Sequence, residues 1–97
     1  MEIVIKKYVE RPSTYEDGEK IFNLIYPEIA NNERVEVSFA GIESVPSAFI
    51  NAAFIRLLEK VTFEDIKKYL QIVNSTHHIN TLIQNRFAFA VKKSELA

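Results

Sequence analysis

Residues 35–54 read VEVSFAGIESVPSAFINAAF, and this stretch decides the fold. Its first five residues alternate apolar and polar side chains, which predicts a β-strand with one buried face. A loop containing Gly41 follows, and the apolar residues after Ser47 recur at helical spacing. In α/β folds, unpaired backbone N–H groups and the helix dipole gather where a strand delivers a loop to a helix. The stretch therefore indicates a regulatory site rather than an enzyme pocket.

The length and composition bound the class of protein. The chain has 97 residues, which predicts one domain over residues 1–97 with a single modest core. Hydrophobic residues make up 47% of the chain, which excludes disorder, and no run approaches the roughly 18 apolar residues of a membrane span. The net charge of −1, with lysines scattered in pairs, gives no concentrated positive patch. We therefore expect neither nucleic acid nor a membrane as a partner.

The start of the chain and its cysteine content bear on location. Residues 1–6 show no basic region followed by an apolar run, and the chain contains no cysteine. A cytoplasmic location is expected, without disulfides or thiolate metal sites.

The pattern along the chain predicts the element order βαβαβα, with a short turn before the third strand. We predict strands at residues 2–8, 35–39 and 69–73. Right-handed crossovers then give a small α/β domain with a three- to four-stranded, mostly parallel sheet. The alternation at residues 35–39 places the helices mainly on one face.

The predicted helices follow from capping patterns and apolar stripes. The first begins at a capping box, either Ser13 with Glu16 or Thr14 with Asp17, and should kink or stop near Tyr26 before Pro27. Asn31-Asn32 is predicted to finish the turn that follows. The second runs from Ser47 to Lys60, and Thr62 caps the short turn after it. The last begins at about residue 74 and includes residues 87–93, although residues 87–91 also alternate as a strand would.

Ser47 is the most specific candidate for a functional residue, as a helix cap or a phosphorylation site. A serine at a helix start accepts backbone hydrogen bonds as an N-cap, and a phosphate there meets free N–H groups while adding nearly two negative charges. Capping is the commoner role, and Ser44 would cap instead if the helix opened earlier. Both the cap and the phosphorylation hypothesis stay open on sequence.

The second helix has an unusual outer face. Steps of about 100° per residue group Phe49, Phe54 and Leu57 on the side predicted to be buried. The other side is small and apolar, which indicates docking of another chain or burial under the chain's own loops. Its candidate partner-binding residues are Ala48, Asn51, Ala52 and Ile55.

The patterns of catalysis and metal binding are missing. His77 and His78 are adjacent and would point about 100° apart on a helix, with no third ligand at a suitable spacing. No Gly-x-Ser-x-Gly or phosphate-loop pattern occurs. We therefore predict a protein that is not an enzyme and uses neither metal nor cofactor.

Four motifs together resemble a known family. They are FAGI at residues 39–42, VPSAFIN at 45–51, FEDIKK at 63–68 and IVN at 72–74. Their spacing is similar to that of small bacterial STAS-like domains of uncharacterised function, over about residues 18–90. Such domains are distantly similar to anti-sigma factor antagonists, which change partners when a kinase-like anti-sigma factor phosphorylates a serine at a helix start.

The resemblance implies roles for particular residues. The antagonists have Asp-Ser-Ser-Gly at the helix start; in register, Ser47 matches the first serine and Ala48 stands at the usual phosphate acceptor. The acidic neighbours are absent from this chain. The implied interaction surface is the loop from Gly41 to Pro46 and the outer face of the following helix.

Three functional hypotheses remain. The first is a non-enzymatic module that binds a protein partner, such as a histidine-kinase-like ATPase, through Ser47 and the outer face. The second is a sensor that binds a small anion or nucleotide at the loop and helix N-terminus. The third is a homodimer formed by the same face.

Overall fold

Three parallel strands in the order β1-β2-β3 form the sheet. The computed structural model describes the backbone of residues 1–96 and the side chains of residues 1–92. Its strands are β1 (Glu2–Val4), β2 (Val35–Ser38) and β3 (Leu70–Val73). The predicted small α/β fold with a mostly parallel sheet is confirmed, with three strands in the described part of the chain.

The helices lie before and after these strands in the chain. They are α1 (Tyr15–Ala30), α2 (Ser47–Ala53), α3 (Phe63–Tyr69) and α4 (His77–Leu96). Two 3₁₀ turns, Ile5–Lys7 and Ile55–Glu59, extend β1 and α2. Residues 87–93 belong to α4, which confirms the helical assignment. No helix in the described chain is long and apolar enough to cross a membrane.

The register of the sheet separates a buried face from an open one. Ile3 pairs with Val37, which pairs with Ile72, so these three side chains share the face that the helices cover. One residue earlier on each strand lies a second row, Glu2, Glu36 and Gln71, which is exposed. Because successive side chains alternate between faces, this register agrees with the prediction that the helices lie mainly on one face.

The first strand is shorter than predicted. It ends at Val4 instead of continuing to residue 8, and the backbone tightens so that the amides of Tyr8 and Val9 donate to the Ile5 carbonyl at 2.9 and 3.0 Å. Both Ile5 and Val9 are buried. The 3₁₀ turn accompanies the burial of both side chains, whereas a continued strand would carry Val9 about 13 Å beyond Ile5 along the sheet.

The start of α1 is the capping box predicted at Thr14 and Asp17. The Thr14 hydroxyl accepts from the Asp17 amide, and the Asp17 carboxylate accepts from the Ser13 and Thr14 amides. Burial of this carboxyl acts to raise its pKa, but these hydrogen bonds and the nearby Lys20 outweigh it, so the pKa of Asp17 is lowered. The cap therefore stabilises the fold above the ordinary pKa of aspartate and weakens as the pH falls through the lowered value.

The end of α1 differs from the prediction at Pro27. Of the two predicted outcomes near Tyr26, a kink or a stop, the stop is wrong, because the helix continues through Pro27 to Ala30. Pro27 and Asn23, whose carbonyl loses its helical donor, are both exposed, so solvent can supply the missing donor. Asn31 is the C-cap of α1, and Asn32 follows it with a φ of 59°. The prediction that Asn31-Asn32 finishes this segment is confirmed.

The second helix is also shorter than the predicted Ser47–Lys60. After Ala53 the chain forms a 3₁₀ turn, in which the Leu57 amide donates to the Phe54 carbonyl at 3.0 Å. Side chains three residues apart align in such a turn, so Phe54 and Leu57 both enter the core. The predicted buried side of this segment, which includes Phe49, is confirmed.

The segment before β3 is a helix rather than a short turn. The predicted cap is confirmed, because the Thr62 hydroxyl accepts from the Asp65 amide at 3.1 Å. Ile66 is the buried residue of α3, and the Phe63 ring packs against Phe87 of α4 at a centroid distance of 5.5 Å. Thus α3 joins the β3 edge of the sheet to α4.

The helices α1 and α2 approach each other at Gly18. A Cβ atom built on Gly18 would lie 2.6 Å from the Ala52 Cβ and 2.6 Å from the Phe49 carbonyl oxygen. The absence of a side chain at Gly18 therefore sets the distance between the two helices.

We predict that Gly18→Ala lowers the free energy of unfolding by about 1–2 kcal/mol. The strain of the added methyl against the α2 backbone exceeds the ~1 kcal/mol that alanine gains over glycine in a helix. Urea denaturation measures the change. Asn23→Ala, at an exposed position of the same helix, is the matched control and should leave stability unchanged or slightly raised. A Gly18→Ala protein as stable as wild type would show that the two helices separate freely.

Candidate functional site

The loop after β2 starts with a turn at the carboxyl end of the sheet. The Phe39 amide donates to the Val73 carbonyl at 3.0 Å, and the Ile42 amide donates back to the Phe39 carbonyl at 2.9 Å. Residues 39–42 form a four-residue β-turn, and Gly41 is its third residue. Gly41 has a φ of 79°, a left-handed conformation that favours glycine. The sequence signal at Gly41 therefore marks a tight turn.

The rest of the loop is fixed by buried anchors. Ile42 and Val45 are buried in the core, and the Thr76 hydroxyl donates to the Glu43 carbonyl at 3.1 Å. Between and after these anchors, Ser44 and Pro46 are exposed. The loop thus presents its polar side to solvent from a fixed backbone.

Ser38 fixes the ends of two neighbouring strands, a role that the sequence analysis missed. Its side chain is 1% exposed, and its hydroxyl accepts from the Asn74 side-chain amide at 3.0 Å and from the Ala40 amide at 3.2 Å. Asn74 has a φ of 54°. The available signal was a small polar residue at a strand end, which is too common to identify a contact to β3.

Ser47 is the first residue of α2 and not its N-cap, so the cap prediction is wrong. The cap position belongs to Pro46, whose carbonyl accepts from the Phe49 and Ile50 amides at 3.1 and 3.5 Å. Proline biases the preceding Val45 toward extended backbone, so the helix begins only after Pro46. Ser47 is exposed, and its hydroxyl bonds to no residue in the described part of the chain.

The predicted outer face of α2 is divided by its neighbours. Ala48 is exposed, but Ala52 is fully buried, so its assignment to a partner-binding surface is wrong. Ala52 faces Gly18 of α1, and a single-helix projection does not show that another helix covers this side. Ile55 is half-buried against the core and lies in the 3₁₀ turn.

Asn51 connects α2 to α4. Its side-chain oxygen accepts from the Arg86 Nε at 3.1 Å, and the Arg86 guanidinium lies 5.5 Å from the centre of the Phe89 ring. Phe89 is 59% exposed, although it is a large aromatic residue. We call the group Ser47, Ala48, Asn51, Arg86 and Phe89 the α2–α4 surface.

Arg86 and Phe89 were not predicted from the sequence to belong to a site. The available signal was Arg86 within the apolar stripe of the last helix and two phenylalanines in residues 87–91. In a strand, Phe87 and Phe89 would lie on the same face, whereas the helix over residues 87–91 buries Phe87 and exposes Phe89. The ambiguity between helix and strand therefore hid the surface.

A cavity of about 630 Å³ lies beside this surface, between α2, α3 and α4. Ile55 and Asn51 line it, together with Arg56. The Arg56 guanidinium stacks on the Phe22 ring at 4.5 Å from its centre and lies 3.8 Å from a Glu19 carboxylate oxygen. The Arg56 guanidinium therefore already has partners within the chain, Phe22 and Glu19.

A second cleft, of about 910 Å³, lies at the carboxyl end of the strands. Its ionisable lining residues are Lys6, Glu10, Arg11, Glu43 and His78. Across the described chain, no group of three histidine, aspartate or glutamate side chains could hold a metal ion. The cleft mixes charges of both signs.

Comparison with known proteins identifies the family. The model of the STAS-like domain of unknown function (DUF4325) matches residues 17–80, which is more than half of the chain. The chain belongs to this STAS-like family. The match covers α1 through the start of α4 and includes Ser47, Ala48 and Asn51. No curated protein and no solved structure matches the chain significantly.

We predict that Ser47→Ala leaves the stability of this STAS-like domain within about 0.5 kcal/mol of wild type, because the hydroxyl makes no cap. Thr14→Ala is the matched control, since Thr14 does cap a helix, and it should lose about 1 kcal/mol. Chemical denaturation of both variants checks the prediction. A loss at Ser47 equal to that at Thr14 would contradict the assignment of the cap to Pro46.

Proposed function

We propose that this STAS-like domain is a non-catalytic regulatory module that binds a protein partner through the α2–α4 surface. The observation that carries the proposal is the exposed Phe89 ring, stacked on an arginine that Asn51 holds in place. Aromatic and arginine side chains are enriched in the energetically dominant centres of protein interfaces. An ordered pair of them loses little side-chain entropy on binding.

The neighbouring residues suit the same role. Ala48 is small and exposed, so a partner backbone can come close to α2 beside the aromatic group. The loop before it is fixed by Ile42, Val45 and the bond from Thr76 to Glu43. A surface that is already rigid favours association without a large ordering cost.

The partner class that we propose is an ATPase of the histidine-kinase-like type. The support is the similarity of STAS-like domains to anti-sigma factor antagonists, together with the position of Ser47. This serine is exposed at the start of α2 and uncommitted to a cap. A phosphate there would add nearly two negative charges to the α2–α4 surface and thereby change its affinity for the partner.

A small-anion sensor is the second candidate, and the cleft at the carboxyl end of the strands favours it. Lys6, Arg11 and His78 line this cleft, as an anion site would require. Glu10 and Glu43 lie in the same lining and oppose anion binding. A thermal shift with ATP or inorganic phosphate that is lost in Arg11→Gln would favour this candidate over the partner module.

We predict that Ala48→Arg weakens partner binding by about tenfold or more, because a large charged side chain then separates Phe89 and Asn51 from the partner. Histidine-kinase-like ATPases encoded beside the gene, purified and titrated by calorimetry, supply the partners. Ala30→Arg makes the same change at an exposed alanine at the far end of α1 and should bind as wild type does.

Two outcomes would contradict this prediction. Equal binding by both alanine variants would remove the α2–α4 surface from the interface. A wild-type dimer that Ala48→Arg dissociates, seen by sedimentation without any ATPase, would replace the heterologous partner by a second copy of the chain.

We also predict opposite effects of two changes at Ser47 on the same titration. Ser47→Asp should weaken binding, because it adds a negative charge to the α2–α4 surface, whereas Ser47→Ala should preserve it. Intact-mass measurement after incubation with the ATPase and ATP then detects phosphate on the wild-type chain. Equal affinity of the two variants would exclude a switch at Ser47 while leaving the binding surface intact.

A further inference from the structure

The core face of the sheet is less covered at the β3 edge than at β1. The core-facing residue of β1, Ile3, is fully buried, whereas Leu70 and Ile72 of β3 remain partly exposed on the same face. A groove of about 700 Å³ lies against them, between α3 and α4. Its apolar lining residues are Phe63, Ile66, Leu70, Ile72, Ile83 and Phe87.

The backbone of β3 also has free hydrogen-bonding groups at this edge. The Val73 carbonyl accepts from the Phe39 amide, so Val73 directs its backbone groups toward β2. Backbone groups of neighbouring residues in a strand point to opposite sides, and those of Ile72 therefore face away from the sheet. Within the described chain, the Ile72 amide and carbonyl have no hydrogen-bond partner beyond this edge.

The positive charges at the groove favour an acidic segment of another protein over a second copy of this chain. The charged side chains in its lining are Lys67 and Lys92, and Lys68 follows at the end of α3. A second copy that paired β3 with β3 would bring these lysines toward their own counterparts. An acidic segment of another protein would pair with them instead.

We propose that the β3 edge binds an extended segment of a partner protein, whose groove-facing positions carry apolar and then acidic residues, as a fourth strand of the sheet. The segment's backbone pairs with Ile72, its apolar side chains fill the groove against Leu70 and Phe87, and its carboxylates, on the same face of the added strand, lie near Lys67 and Lys92. This site lies on the side of α4 opposite Phe89 and is independent of the proposed function, because it uses none of the residues of the α2–α4 surface.

The test uses a blocked peptide in which valine and then glutamate occupy every second residue, with serine between them, so that both kinds of side chain face the groove. Amide exchange followed by NMR should show fast exchange at Ile72 in the free domain and slower exchange at Gln71 and Val73, which face β2. Saturating peptide should slow the Ile72 amide by about tenfold or more, because strand addition gives this amide an acceptor. A groove occupied by a helix would leave Ile72 unprotected and overturn the proposal.

Matched variants locate the peptide and test its charge. Ala88→Glu places a carboxylate at the groove, on an exposed position of α4, and should weaken peptide binding about tenfold. Ala48→Glu makes the same change on the other surface and should have no effect on the peptide. A Lys67→Glu/Lys92→Glu double variant should prefer a valine–lysine peptide over the valine–glutamate peptide.

Three results would overturn the proposal. The first is a wild-type domain that binds the two peptides equally. The second is an Ile72 amide already as protected as that of Gln71 at low protein concentration. The third is protection that appears with protein concentration alone, together with a dimer in sedimentation, which would assign the edge to a second copy.

Discussion

The row formed by Ile3, Val37 and Ile72 across three parallel strands is the constraint on which the rest of the structure depends. A sheet this narrow has one apolar face, because the next row carries Glu2, Glu36 and Gln71. All the helices must therefore share one side, and α2 packs against α1 and α4 there. Gly18 makes this packing close enough to cover Ala52, while Ala48 lies beyond the cover and stays exposed.

The same packing determines what the outer surface contains. Since α1 covers one flank of α2, the remaining flank faces α4, and Asn51 meets Arg86 there. Arg86 in turn stacks on Phe89, which the helical form of residues 87–91 directs outward. Phe89 is more exposed than any other large hydrophobic side chain in the described part of the chain. Its exposure beside an ordered arginine is therefore a reason to assign a binding role to this face.

Local signals in the sequence predicted the elements that local physics controls. Thr14 and Thr62 cap helices because the acceptor and the amide lie three residues apart, and Asn32 ends α1 because asparagine tolerates a positive φ. The errors concern distant contacts. Ala52 is buried by a glycine 34 positions earlier in the chain. The Ser47 error is local, because Ser47 and Ser44 were the predicted alternatives for the cap, and Pro46, which lies between them in the chain, occupies that position.

Helix α4 separates two surfaces of different chemistry, and this separation keeps the two proposed sites independent of each other. On one side, Arg86 and Phe89 form a compact polar-aromatic group that suits side-chain recognition by a folded partner. On the other, Ile83 and Phe87 form the wall of an apolar groove beside unpaired strand backbone, which suits an extended segment. Because Phe87 also packs on Phe63 of α3, the helix is anchored to the β3 edge independently of its bond to Asn51. Occupants of different shape therefore fit the two sides without competing for the same residues.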